Sequence, residues 1–179
     1  MTIFTLVRHG ETNWPTMRLR GIKGRAKNFV ELTANGVTQI EALAGDPRLR
    51  SAEAILSSPY TRALQSAAIL GRCLNLPLHV EYDLHEWVFD RNAGVEFLAE
   101  EVERRRLLYY ASDRFHPAAE ERAWESGFEV RSRAALALQK YEHHAHVIVV
   151  CHMGVIFALT GQMQVEPGEI VEYNVKRDT

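Results

Sequence analysis

Five residues of this sequence could do chemistry together: Arg8, His9, Arg62, Glu86 and His152. Two guanidinium groups can each hold a tetrahedral oxyanion by a two-pronged hydrogen bond, and both stay charged at any working pH. A neutral imidazole in that field can attack phosphorus and form a phosphohistidine. A second imidazole can stabilise charge on the transferring oxygens. A carboxyl group kept protonated beside an anion can pass its proton to the leaving alkoxide, a step typically worth ~10²–10⁴ in rate. The resulting carboxylate can then deprotonate the water that cleaves the phosphohistidine. Such chemistry needs no metal, because the arginines carry the positive charge.

For these residues to meet, the chain must bring distant segments together, and its hydrophobic pattern predicts how. Residues 3–7 are mostly apolar and rich in β-formers, so they read as a buried strand that ends abruptly in Arg8-His9-Gly10-Glu11. Gly10 permits a sharp turn or the close approach of a ligand. Residues 54–56 predict a short buried strand. Ser58 and Pro59 then read as the cap and first position of a helix whose first turn carries Arg62. The amino terminus of that helix adds backbone donors for an anion. A third β-like run, 78–82, precedes Glu86. The unbroken apolar run 146–151 predicts a central strand, followed at once by His152 and an apolar helix over 155–160. Parallel neighbours would place all five side chains at one carboxyl edge of the sheet, where open α/β folds bind ligands.

Elsewhere Thr33 is a predicted N-cap for a helix bearing Val37, Ile40 and Ala44, which Gly45 and Pro47 stop. Residues 95–110 and 128–141 predict helices, and 169–175 a last strand. Arg104, Arg105 and Arg106 read as a solvated helix end. Residues 13–30 hold Arg18, Arg20, Lys23, Arg25 and Lys27 with Pro15, Gly21 and Gly24 among them, which predicts a basic loop. It could draw in an anionic substrate or simply be solvated, and the sequence leaves both open. Alternating strands and helices predict a three-layer α/β/α fold with a mostly parallel sheet. The whole, 1–179, reads as a single domain with 87–126 as a cap over the site.

Composition fits a soluble globular protein of this size. Of 179 residues, 46% are hydrophobic and 25% charged, and the net charge is −2, so nothing favours nucleic acid or a membrane surface as partner. No apolar run approaches the ~20 residues of a membrane span, and the amino terminus does not read as a signal peptide. Cys73 and Cys151 form neither a disulfide framework nor a zinc pattern, which fits a reducing cytoplasm. His143, His144 and His146 could ligate zinc, but surface histidines at a helix–strand junction are the better reading. His79, His85 and His116 read as non-site residues, as does Cys151. Trp14, Trp87 and Trp124 read as packing residues, with Trp87 nearest the site. A homodimer is one oligomeric state open to the chain.

Together the motifs resemble the histidine phosphatase superfamily, in the branch that includes cofactor-dependent phosphoglycerate mutase. The resemblance rests on Arg8-His9-Gly10-Glu11-Thr12, on Leu32-Thr33 with Gly36 and Gln39, and on Ser57-Ser58-Pro59 through Arg62-Ala63 and Gln65. It continues through Leu84-His85-Glu86 and Cys151-His152-Met153-Gly154. It implies that His9 is the phosphorylated nucleophile and that Arg8, Arg62 and His152 line the phosphate pocket. It further implies that Glu86 is the proton donor, with Glu11 an alternative, and that no cofactor is required. Pro15 stands near where the family often has a phosphate-reaching asparagine, which makes Asn13 a candidate for that role. Trp87-Val88-Phe89-Asp90-Arg91 replaces a glycine-containing motif. The implied activity is hydrolysis of a small phosphorylated metabolite. Mutase-type phosphoryl transfer, dephosphorylation of phosphohistidine proteins and a non-catalytic phosphate-binding role are alternatives.

Overall fold

A computed structural model describes residues 1–91, 99–111 and 124–174. Five strands form one sheet: β1 (Ile3–Arg8), β2 (Ala54–Ser57), β3 (Leu78–Val80), β4 (His146–Cys151) and β5 (Ile170–Asn174). Their order is β3-β2-β4-β1-β5. Four run parallel, and only β5 is antiparallel, against β1. The mostly parallel sheet is therefore as expected, with β4 at its centre and every β4 residue buried.

Alternation along the strands sends side chains to both faces, and both faces are covered. Phe4, Leu6, Leu56, Val147 and Val149 pack one way, against Val130, Ala134, Leu138, Ile156 and Tyr109. Val7, Ile55, Ile148 and Val150 pack the other way, against Ile40, Ala63, Ala67 and Leu70. The first layer comprises α4 (Ala99–Ala111), α5 (Gly127–Gln139) and α6 (Met153–Thr160), and the second α2 (Ala34–Leu43) and α3 (Thr61–Leu74). This is the three-layer arrangement read from the sequence.

Several local expectations change. The 13–30 stretch contains α1 (Trp14–Leu19) and a 3₁₀ turn over Gly24–Phe29. Pro15 lies in the first turn of α1, where its missing N–H costs nothing, so it starts a helix there. α3 begins at Thr61, two residues later than Ser58 and Pro59 suggested, and Tyr60 precedes it without a side-chain cap. The predicted 78–82 strand stops at Val80 and passes into a 3₁₀ turn, Tyr82–Leu84. Thr33 does cap α2, its hydroxyl accepting from the Gly36 amide at 2.9 Å. Arg104 and Arg106 pair with Glu101 and Glu103 on the helix surface, but Arg105 is buried and donates to the Phe89 carbonyl at 2.8 Å. The start of the predicted 95–110 helix and His116 lie outside the described residues.

Candidate active site

β1 and β4 are paired so that Arg8 stands opposite Cys151. The next residue on each strand is a histidine. The His9 amide donates to the Cys151 carbonyl at 3.1 Å, and the two imidazole centroids lie 5.0 Å apart. Parallel pairing thus converts two motifs more than 140 positions apart into neighbours at one carboxyl edge. β2 flanks β4 on its other side. Its continuation, Ser58, donates its amide to Val150 at 3.0 Å and places its hydroxyl 2.7 Å from His152 Nε2.

Hydrogen-bond partners define the ring states. His9 Nδ1 lies 2.8 Å from the Gly10 carbonyl, which can only accept, so Nδ1 carries the proton. Nε2 keeps its lone pair and accepts from Arg62 Nε at 3.1 Å. Burial, then the charge of Arg62 and, more weakly, that of Arg8 push the His9 pKa down to about 3, against the opposing pull of the Gly10 bond. Burial and the Arg62 charge likewise hold His152 well below the ordinary histidine range. Both rings are neutral near pH 7. Ser58 Oγ accepts from the Tyr60 amide at 3.3 Å and can donate to His152 Nε2, which leaves the ring proton on Nδ1.

Among the described residues, three buried side-chain atoms have no hydrogen-bond partner: Arg8 Nε, Arg62 Nη1 and His152 Nδ1. Buried donors are normally satisfied, because leaving one unmade costs on the order of 1–3 kcal/mol. These three come from three of the segments that meet beside His9. Arg8 is further anchored through Nη1 to the Val165 carbonyl. The arrangement can bind a multiply charged oxyanion and, once the oxyanion draws Arg62 away, present it to the Nε2 lone pair of His9.

Glu86 sits at the amino terminus of α6. Its Oε1 accepts from the Gly154 amide at 3.1 Å and from the Trp87 amide at 2.8 Å. A Cβ at Gly154 would come within 2.4 Å of that oxygen, so the glycine is what admits the carboxylate. A cleft of about 970 Å³ opens over the site. Arg62, Tyr60, His85 and Glu86 line it, and so do Lys23, Arg25 and Lys27. The basic segment therefore borders the site.

Not every predicted residue joins in. Asn13 caps α1: its Oδ1 accepts from Thr16 at 3.2 Å and its Nδ2 donates to Glu31 at 3.1 Å. Its amide oxygen and nitrogen thus both make contacts within the protein. Glu11 contacts α2, its Oε2 accepting from Asn35 at 2.6 Å. Gly10 makes its close approach to protein rather than ligand, since a Cβ there would lie 2.6 Å from the Gly36 carbonyl. His146 is buried between Thr5 and Ser51, each 2.8 Å from a ring nitrogen, so it is a core histidine instead of a surface one. Trp14, read as a packing residue, and His85, read as a non-site residue, both line the cleft, and Arg62 lies over the Trp14 ring at 5.6 Å. Ser58 and Tyr60 escaped notice as site residues. Their contacts with His152 span more than 90 positions and leave no local signal.

With fold and site in view, comparison with known proteins gives the class. The family model of the histidine phosphatase superfamily, branch 1, matches residues 4–176, and the chain belongs to that family. A protein of Hydrogenobacter thermophilus bearing the name phosphoserine phosphatase 2 is 29% identical over 157 residues, covering 86% of this chain and 74% of that one. The Bacillus subtilis phosphatase PhoE is 36% identical over 83 residues, 46% of this chain and 40% of its own. A mycobacterial glucosyl-3-phosphoglycerate phosphatase superposes with a TM-score of 0.70 over 96% of this chain and 89% of its own, at 22% identity, a likeness of fold alone.

Proposed function

We propose that this protein hydrolyses a small phosphomonoester through a phosphohistidine on His9. The single observation that carries the reading is the lack of hydrogen-bond partners at three buried side-chain nitrogens, on Arg8, Arg62 and His152, the last two of which lie against an imidazole whose Nε2 holds a lone pair. In the first step the Nε2 lone pair forms a bond to phosphorus. The ester P–O bond breaks, its electrons pass to the leaving oxygen, and that oxygen takes the Glu86 carboxyl proton. In the second step the Glu86 carboxylate takes a proton from water, whose oxygen attacks phosphorus. The N–P bond breaks, its electrons return to Nε2, and inorganic phosphate leaves. Arg8, Arg62 and His152 hold the phosphoryl oxygens throughout, so positive charge is supplied without a metal ion.

The relative named above as a phosphoserine phosphatase supports a small phosphorylated metabolite as substrate. Of the expected 87–126 cap, residues 87–91 line the cleft, while 92–98 and 112–123 lie outside the described residues. No helix among the described residues is long and apolar enough to cross a membrane. Both cysteines are free, one of them exposed, which fits a reducing cytoplasm.

The test is phosphoenzyme trapping. Wild-type protein quenched during turnover of a ³²P-labelled monoester should carry acid-labile, alkali-stable label, and His9→Ala should carry none. Equal turnover by the two proteins would remove His9 as nucleophile.

A further inference from the structure

Arg133, on α5, commits all five of its N–H donors at one place. Nε and Nη2 grip the two carboxylate oxygens of Glu125 at 2.9 and 3.0 Å. Nη1 donates to the carbonyls of Asp83 and His85, at 2.5 and 2.9 Å, and Nη2 reaches the Glu86 carbonyl at 3.4 Å. Glu125 holds the next residues in turn. Its Oε2 accepts from the Val88 amide at 2.8 Å, its backbone amide donates to the Val88 carbonyl at 2.9 Å, and its carbonyl accepts from the Trp87 ring at 2.7 Å. One ion pair thus grips residues 83, 85, 86, 87 and 88, with Glu86 in their middle.

The pair is largely buried, its side chains 13% and 11% exposed. Buried ion pairs add little net stability compared with apolar packing, so stability alone does not account for it. A guanidinium does impose fixed directions on its acceptors, which an ammonium cannot. Glu86 needs such direction, because a proton moves efficiently only along a well-placed hydrogen bond. Among the described residues its carboxylate is anchored by the Trp87 and Gly154 amides, and the first belongs to the segment the pair holds.

We propose that Arg133 and Glu125 are positioning residues that fix the backbone carrying Glu86 and thereby aim its proton at the leaving-group oxygen. This inference rests on Glu86 being the proton donor of the reaction proposed above. Neither residue touches substrate. Their effect falls on the step that protonates the leaving group and spares phosphate binding by Arg8, Arg62 and His152.

The test compares an alkyl phosphate, whose leaving group needs a proton, with p-nitrophenyl phosphate, whose leaving group does not. In full-length Arg133→Met and Arg133→Lys, kcat on the alkyl ester should fall about tenfold more than on the aryl ester, a part of the ~10²–10⁴ that a placed acid supplies. KM for both substrates and inhibition by vanadate should stay within about twofold of wild type. In a Glu86→Gln background the same changes should add no further alkyl-selective loss. Equal losses on both esters, or a selective loss that persists without Glu86, would overturn the proposal. Should Arg133→Met fail to fold, Glu125→Gln gives the same comparison while keeping an acceptor for Arg133. Histidine-bound label on wild type separates the two readings. Label with equal losses sinks only the positioning role, whereas its absence sinks the phosphohistidine mechanism.

Discussion

Arg62 donates its Nε–H to Nε2 of His9 across 3.1 Å, so in the mechanism proposed above the phosphate-binding cation rests on the lone pair of the nucleophile. Substrate has to take Arg62 away from His9, and the phosphoryl oxygens are better acceptors for a guanidinium than a neutral ring. The contact also keeps a proton off Nε2, since the charge of Arg62 is the second cause of the low His9 pKa after burial.

Removing that charge should therefore have two readable effects. Arg62→Met should cost about 10²–10³ in kcat/KM through lost stabilisation of the transferring oxygens. It should also raise the pKa of His9, seen as a higher midpoint for its ring resonances in an NMR pH titration. Arg62→Lys keeps the charge but loses the fork, so it should lose activity with a smaller shift of His9. An unmoved His9 titration in Arg62→Met would show that burial alone sets the ring state.

Acid should unfold the protein through the same rings. An unfolded histidine takes up a proton below about pH 6.5, whereas folded His9 does so only near 3. Unfolding therefore binds protons in that window, and stability is present above it and lost as pH falls through it. Each such ring contributes up to ~1.4 kcal/mol per pH unit. With His152 shifted in the same direction, about 1–3 kcal/mol should go between about pH 7.5 and 5.5, before most carboxylates titrate. Urea midpoints across that range check this, and His9→Gln should flatten the slope.

How much of this was legible beforehand depends on where each signal resides. His9 and His152 were readable because each follows an apolar strand, and parallel strands fix the neighbours of whatever comes next. Arg62 was readable as a helix-start cation even though its helix begins later than Ser58 and Pro59 suggested. The capping role of Asn13 was not legible, because an asparagine beside Pro15 serves a helix start as well as it would serve a phosphate, and nothing local separates the two uses. Arg133 looked like any polar position on α5. Its acceptors are mostly backbone carbonyls about 50 positions away, and carbonyls leave no mark in a sequence. Long-range polar contacts of this kind appear only when tertiary structure supplies the partner.

Two glycines decide how firmly the His9 loop is seated. A Cβ at Gly36 would lie 2.3 Å from the Glu11 carbonyl oxygen, and one at Gly10 would lie 2.6 Å from that of Gly36. Both obstacles are backbone, which cannot rotate aside. Gly36→Ala should therefore cost about 1–3 kcal/mol as overpacking, despite the ~1 kcal/mol that alanine gains in a helix. Thermal melting measures the loss. A stabilised Gly36→Ala would mean that α2 can move off the loop without penalty.

Chelators should leave activity unchanged, because Arg8 and Arg62 place the positive charge that a metal would otherwise supply. Assay after dialysis against EDTA is the check. Activity that vanishes and returns with an added divalent ion would count against a purely guanidinium-based pocket.

The carboxylate at the α6 terminus gives the last prediction, and it can be approached from two sides. Glu86→Gln keeps the shape and the contacts of the Trp87 and Gly154 amides but removes the transferable proton. Gly154→Ala keeps the carboxyl but places a methyl group where Oε1 now sits, and its other near neighbour is the Trp87 Cβ at 3.2 Å. The carboxyl must move, since α6 is held from its other side by the Tyr109 hydroxyl, which donates to the Gly154 carbonyl at 2.8 Å. Both variants should lose about 10²–10³ in kcat on alkyl phosphates and much less on aryl phosphates. Stopped-flow release of the alcohol or phenol reads the step directly. A uniform loss on both substrate types would mean that a different group protonates the leaving oxygen, and Glu86 would then be only the cap of α6.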